Sequence, residues 1–224
     1  MSNYRTGLVT KCKIINEACR LFWEKGYGGT TLKEICENLG IRQSLLFHYF
    51  PNKAALGSFV LRRTNELIVQ TLLEQFPKGD RRCSGSLREL VVIFQTFKLI
   101  HSTKNSCRFY TEVSQQVPEL FYSLELEQSF MRILAALSED ANLDREMFLV
   151  VIFGMIHLSL HQGQKNPENP NYSELLEAVL PKLLVTMSKK PDEVEWQADA
   201  VLEYVNQCNI GIEAIFLKPY REEV

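Results

Sequence analysis

The sequence predicts an all-α fold, in which an N-terminal three-helix domain is followed by a larger helical domain. Apolar residues recur at helical spacing along most of the chain, as Ile14, Ala18 and Phe22 do near its start. Glycine and proline separate these segments, and no useful stretch alternates as a β-strand would. With 224 residues, 46 % of them hydrophobic, the chain is long enough to bury a sizeable core.

Glycines and prolines also predict where the first four helices end. These ends are expected at the glycines of residues 26–29, at Gly40, before Pro51 and near Pro77. Thr31 and Glu34 form a capping-box pattern, in which a hydroxyl and a carboxylate both satisfy free N–H groups at a helix start. A tight turn at Gly40 then favours a residue that tolerates positive φ.

Residues 31–50, TLKEICENLGIRQSLLFHYF, therefore predict two short helices joined by a turn. The first would support the second, with Leu46 and Phe50 as core. The second helix would present Arg42, Gln43 and Ser44 at its exposed start. One helical turn further along, it would present Phe47 and His48. A helix of this kind fits the major groove of B-DNA, where its first side chains reach base edges. The alternative is a three-helix subdomain that is merely packed.

Charge divides the chain unevenly. The net charge is −2 overall, but residues 1–63 hold ten Lys and Arg against four Asp and Glu, a net of +6. The remainder holds 15 against 23, a net of −8. A basic module joined to an acidic body is typical of a protein whose N-terminal end meets phosphates, although helical surfaces can also scatter charge unevenly.

The run GYGGTTLKEICENLGIRQSLLFHYFPNKAAL resembles the DNA-binding signature of TetR-family bacterial regulators, and the match covers about residues 10–58. The resemblance implies phosphate contacts from Thr30, Thr31, Tyr49 and Lys53. It implies base contacts from Arg42, Gln43, Ser44 and His48. Two positions depart from the family. Phe47 replaces a usual tyrosine, so a phosphate-bonding hydroxyl is absent, although its aromatic face can contact a thymine methyl. Arg42 replaces a common small capping residue.

The same resemblance divides the chain into a helix-turn-helix DNA-binding domain, residues 1–53, and a helical effector-binding and dimerisation domain, residues 54–224. It implies a homodimer that binds double-stranded DNA at a near-palindromic operator. The expected function is that of a transcriptional repressor released by a small molecule bound in the second domain. A regulator without an effector, or an activator, is the alternative within this class.

Aromatic residues are concentrated in the middle of the second domain, where they are expected to line a pocket with a few polar groups. The candidate effector-binding residues are Phe97, His101, Tyr110, Glu112, Gln115, Phe121, Phe130 and His157. Each could instead be ordinary core.

Three later segments bear on dimerisation. Residues 147–160 are apolar almost all round and must be covered on more than one side. Together with residues 173–187, this segment corresponds, by its order in the chain, to the pair of helices that usually builds the four-helix bundle of the dimer in TetR-family proteins. A final helix is predicted over residues 191–217, with the heptad seam Val194, Ala198, Val201, Val205, Cys208, Ile212 and Ile215. It extends beyond the usual family length and could join the dimer contact or cover a pocket.

Other functions find little support in the sequence. It contains no GxSxG, phosphate loop or carboxylate–histidine set, so an enzyme is not expected. His157 and His161 have metal-compatible spacing but no evident third ligand, and we expect neither metal nor cofactor. Six scattered cysteines without a CxxC pair predict free thiols.

The membrane is not an expected partner. No N-terminal apolar stretch resembles a secretion signal, and residues 147–160 fall short of the ~20 residues that span a bilayer. The sequence therefore predicts a cytoplasmic protein.

Overall fold

The structure is a computed structural model that describes residues 2–75, 91–92, 95–96, 98–117, 203 and 210–221. All regular secondary structure in these ranges is helical, which confirms the predicted all-α class for this part of the chain. The helices with defined bounds are α1 (Ser2–Lys25), α2 (Leu32–Leu39), α3 (Gln43–Tyr49), α4 (Lys53–Gln75), α5 (Lys104–Gln116) and α6 (Ile212–Phe216). Residues 91–92, 95–96 and 98–100 are also helical.

Helix α1 carries the apolar stripe on which the N-terminal domain assembles. Ile14, Ile15, Ala18, Leu21 and Phe22 are all at most 1 % exposed, which the helical repeat of the sequence predicts. This stripe packs against α2, α4 and α5. The helix ends where Gly26 adopts a φ of 82° and donates its N–H to the Phe22 carbonyl at 3.0 Å.

The turn between α2 and α3 forms as the sequence predicts. Gly40 lies at φ 64° in the left-handed region, and the N–H of Ile41 returns to the Cys36 carbonyl at 3.0 Å. Thr31 caps α2 because its hydroxyl oxygen accepts from the Glu34 N–H at 3.1 Å. The reciprocal half of the predicted capping box is wrong: the Glu34 carboxylate instead pairs with the Lys25 ammonium of α1.

One continuous core crosses the domain boundary that the sequence predicts after residue 53. Leu56 and Val60 of α4 are fully buried against α1, and Phe109 of α5 belongs to the same cluster. Helix α5 begins at Lys104. The reason is that the Thr103 hydroxyl oxygen caps it by accepting from the Ser106 N–H at 3.2 Å.

The predicted final helix is interrupted before its end. Ile210 and Gly211 are not helical, and Gly211 has an extended backbone at φ −88° and ψ 121° that starts the separate helix α6. Ile212 and Ile215 of the heptad seam lie on α6, where both are buried, and α6 packs against α4. A continuous helix over residues 191–217 is therefore wrong.

Several predictions concern residues outside the described ranges. They include the candidate effector-binding residues Phe97, Phe121, Phe130 and His157, the helices predicted between residues 118 and 202, and the pair His157 and His161. Among the helices that are described, none is long and apolar enough to cross a bilayer.

Replacing Gly40 with alanine should lower the free energy of unfolding by about 1 kcal/mol, because a Cβ is strained in the left-handed region. A Cβ at this position meets no atom within 4 Å, so the loss would report backbone conformation alone. Gly211→Ala is the matched control: its surroundings are equally open but its φ is −88°, so we expect no loss. Equal losses in urea unfolding would contradict this account of the turn.

Candidate nucleic-acid interface

Two buried side chains fix α3 on the N-terminal domain. Leu46 is fully buried and Phe50 is 5 % exposed, as the sequence predicts. The Phe50 N–H also closes the helix on the Leu46 carbonyl at 2.9 Å. Because these residues hold one face of α3 inward, the opposite face is directed to solvent.

The solvent-directed face of α3 carries the side chains that the sequence predicts for base contact. Gln43, Ser44 and His48 are exposed, and the Phe47 ring is 46 % exposed. Arg42 occupies the N-cap position with extended backbone, and its exposed side chain makes no capping hydrogen bond. The start of α3 therefore offers hydrogen-bonding, cationic and apolar groups together.

Among the described residues, α3 and the start of α4 carry no acidic side chain. The sequence contains no Asp or Glu between Glu37 and Glu66, a span that includes all of α3 and the start of α4. The four acidic residues of the basic module are ion-paired on α1 and α2: Glu17 and Glu24 with Arg20, Glu34 with Lys25 and Glu37 with Lys33. Hydrogen bonds from Arg20 lower the pKa of Glu17 and keep it ionised in this network.

Of the two threonines predicted to contact phosphate, only one is at the surface. Thr31 is exposed at the start of α2. Thr30 is 1 % exposed, and its hydroxyl donates to the Gly26 carbonyl at 2.8 Å. Because this hydroxyl is buried and engaged in closing the end of α1, the prediction that Thr30 binds phosphate is corrected.

Lys53 is also less accessible to phosphate than the sequence predicts. It is half-buried, with its ammonium 4.3 Å from the centre of the Tyr27 ring. Burial lowers the pKa of Lys53, and the nearby Glu112 carboxylate opposes that shift. Tyr49 is half-buried with its ring 5.1 Å from that of His48. Phosphate contacts from Lys53 and Tyr49 stay predictions.

Sequence reasoning missed the residue that starts α4. The Asn52 side-chain oxygen accepts from the Ala55 N–H at 2.8 Å, which makes Asn52 the cap. Asparagine is a preferred capping residue, so its place directly before Lys53 is the signal that could have found it.

Comparison with known proteins agrees with this arrangement. Residues 14–57 match the family model described as bacterial regulatory proteins, tetR family. Residues 14–57 of this chain form a TetR-family helix-turn-helix domain, which we call the TetR-family domain. The uncharacterized HTH-type transcriptional regulator YuxN of Bacillus subtilis is 29 % identical over 122 residues, which are 54 % of this chain and 39 % of YuxN.

A second relative matches over a shorter stretch. IcaR of Staphylococcus aureus, the HTH-type negative transcriptional regulator of the biofilm operon icaADBC, is 44 % identical over 46 residues. These are 20 % of this chain and 25 % of IcaR, so the matches span well under half of either relative. A crystal structure of the Bacillus subtilis regulator FadR with stearoyl-CoA superposes with a TM-score of 0.45 at 15 % identity, covering 86 % of this chain and 96 % of FadR.

Two side chains of α5 hold the end of α1 in the TetR-family domain. The Arg108 guanidinium donates to the carbonyls of Trp23 and Glu24, at 3.0 and 2.8 Å. The Glu112 carboxylate accepts from the Gly28 N–H at 2.7 Å, and a Cβ on Gly26 would lie only 2.5 Å from it. We call Arg108 and Glu112 the α5 clamp.

Four of the candidate effector-binding residues lie within the described ranges. Glu112 is committed to the α5 clamp and Gln115 is exposed, so neither lines a pocket inside the body. Tyr110 and His101 are buried. The Tyr110 hydroxyl donates to the Asn65 side-chain oxygen of α4 at 2.6 Å, and burial raises the pKa of Tyr110.

Acid should weaken the fold through His101, because burial lowers the pKa of its imidazole to about 3 from an ordinary value of 6.5. Between these values the unfolded chain binds a proton that the folded chain does not. This contribution to stability is therefore present above pH 6.5 and is lost as the pH falls, by up to about 1.4 kcal/mol per pH unit. Urea unfolding of the wild type and His101→Gln from pH 7 to 4.5 would measure it. Parallel profiles would contradict it.

Proposed function

We propose that this chain is a sequence-specific DNA-binding transcriptional regulator that acts as a repressor. The observation that carries the proposal is the exposed start of α3, which projects hydrogen-bonding and apolar side chains and lies in a stretch, residues 38–65, that contains no carboxylate. A helix presented in this way can enter the major groove without repelling the phosphates on either side.

The exposed residues suit a division between base reading and phosphate binding. Gln43 can pair with adenine, Arg42 with guanine, and Phe47 can contact a thymine methyl. Ser44 and His48 add adaptable hydrogen-bonding groups. Phosphate contacts are assigned to Thr31 and Tyr49, with Lys53 reaching phosphate only if its ammonium turns away from Tyr27.

Similarity to a known repressor supports the proposed sign of regulation. IcaR is a negative regulator by name and is 44 % identical to this chain over 46 residues, so repression is the proposed direction. A homodimer would place two copies of α3 about one helical turn of DNA apart, on a near-palindromic operator.

An effector bound in the body, residues 54–224, would act through the α5 clamp. A small molecule that favours a different position of α5 would move Arg108 and Glu112, and with them the end of α1 that they hold. DNA release then requires only that the effector binds the two conformations with different affinity. His101 and Tyr110 remain candidate effector-binding residues.

Selection of bound sequences from random duplex DNA should enrich a near-palindrome for the wild type. Gln43→Ala should change the enriched base at the position that Gln43 reads, or weaken the site by about 1–3 kcal/mol, because a bidentate base contact is lost. Gln70→Ala makes the same change on the exposed face of α4 and should leave the enriched sequence unchanged.

Salt dependence separates specific from non-specific binding in this experiment. The logarithm of operator affinity should fall linearly with the logarithm of salt concentration, and operator affinity should stay far above the affinity for random duplex. Identical sequences enriched by wild type and Gln43→Ala, or no enriched sequence at all, would refute base reading by α3.

The assembly is tested separately by light scattering. The free protein should have twice the mass of one chain, and one dimer should bind each operator duplex. A monomer in both measurements would exclude the proposed symmetric operator complex.

A further inference from the structure

Residues 210–221 return to the TetR-family domain from the far end of the sequence. Phe216 of α6 is fully buried, with its ring 5.2 Å from that of Trp23 on α1 and 4.9 Å from that of Phe109 on α5. The following residues continue along α1 and α4. We call residues 210–221 the strap.

A buried arginine ties the strap to α4. The Arg63 side chain is 7 % exposed, and its guanidinium donates to the carbonyls of Phe216 and Lys218 and to the Cys19 sulfur. A guanidinium removed from water needs acceptors for its N–H groups. Two of the acceptors of Arg63 belong to the strap. If the strap moved away, the Arg63 guanidinium would lose these acceptors and would have to bind water or change position.

A second tie joins the strap to α1. The Asn16 side chain accepts from the Tyr220 N–H at 2.7 Å and donates to the Tyr220 carbonyl at 3.3 Å. The next residue of α1, Glu17, accepts from the Asn38 side chain of α2 at 2.7 Å. The strap and α2 are thus held by adjacent residues of one helix.

An aromatic row connects the strap with α3. The Tyr220 ring lies edge-on to Phe59 of α4 at 5.4 Å, and Phe59 lies edge-on to Phe50 at 5.7 Å. Phe50 is the residue that closes α3. Edge-to-face pairs of this kind have preferred geometries, so displacing Tyr220 disturbs the support of Phe50 through one intervening ring.

We propose that the strap, held by Arg63 and Asn16, fixes α1 against α4 and thereby holds α3 in the geometry that binds the operator. Arg63, Asn16 and Tyr220 are positioning residues in this account, since they act on α3 through other side chains. The proposal rests on the DNA-binding function proposed above and extends it to a conformational control built from a segment some 150–200 residues distant in sequence.

The test uses the full chain in which Trp196→Phe leaves Trp23 as the remaining tryptophan of the two. Trp23 is 5 % exposed and contacts Phe216, so its emission reports whether the strap is docked. In this background, Arg63→Met with Asn16→Ala removes both ties, while methionine retains an apolar stem in place of the arginine stem. Leu217→Ala changes an exposed side chain of the strap and serves as the control.

The double variant should show longer-wavelength Trp23 emission and about tenfold weaker operator binding. Its affinity for random duplex and its salt slope should stay unchanged, whereas loss of a phosphate-binding cation would reduce the slope by about 1. Adding operator should return the emission toward that of the parent, because coupling between two binding events is reciprocal. Leu217→Ala should match the parent throughout.

Three results would overturn the proposal. Unchanged Trp23 emission would show that Arg63 and Asn16 do not hold the strap, and shifted emission with unchanged operator affinity would show that the strap does not position α3. If the parent protein, which carries only Trp196→Phe, binds no operator, the proposed function is refuted and this role of the strap with it. The Trp23 emission of the parent still reports whether the strap is docked. If circular dichroism shows that the double variant is unfolded, Tyr220→Ala is used instead: it keeps both ties, which run to backbone atoms of the strap, and removes only the ring on Phe59. It should weaken operator binding without shifting the Trp23 emission, and unchanged operator affinity would overturn the proposal.

Discussion

The stacking of Phe22 on Phe109 joins the DNA-binding domain to the body, and the rest of the described structure depends on it. The two rings lie 5.6 Å apart in the core, one on α1 and the other on α5. With α5 fixed there, Arg108 reaches the last carbonyls of α1 and Glu112 reaches the loop beyond. Phe216 packs on the same pair of helices, so the strap enters at this junction as well.

Charged residues are distributed unevenly over the surface of the TetR-family domain. The carboxylates are gathered on α1 and α2, where lysine and arginine neutralise them, while α3 and the start of α4 carry none. Surface ion pairs of this sort add little stability. Their consequence here concerns where the charges lie: the carboxylates of residues 1–63 are on α1 and α2, and the basic groups of α3 and the start of α4 can act on phosphates.

Local sequence signals predicted the helix-turn-helix well. The turn needs a residue that tolerates positive φ, which indicates Gly40, and helical periodicity indicates Leu46 and Phe50 as buried. Each of these signals depends only on residues close by in the sequence. The side chains that sequence misplaced depend on contacts distant in the chain. Glu112 bonds to a loop 84 residues away, and Lys53 turns toward Tyr27, neither of which periodicity can predict. The break at Gly211 escaped prediction because the heptad seam continues through it in register.

Hydrogen exchange on the full chain, with and without its selected duplex, tests the central claim most directly. DNA should slow exchange at the start of α2 and along α3, around Thr31 and residues 42–48, since these amides would be covered by the duplex. Smaller changes at the α5 clamp and the strap would follow from their contacts with α1. Protection confined to the body, with α3 unchanged, would contradict the assignment of α3 as the DNA-reading helix.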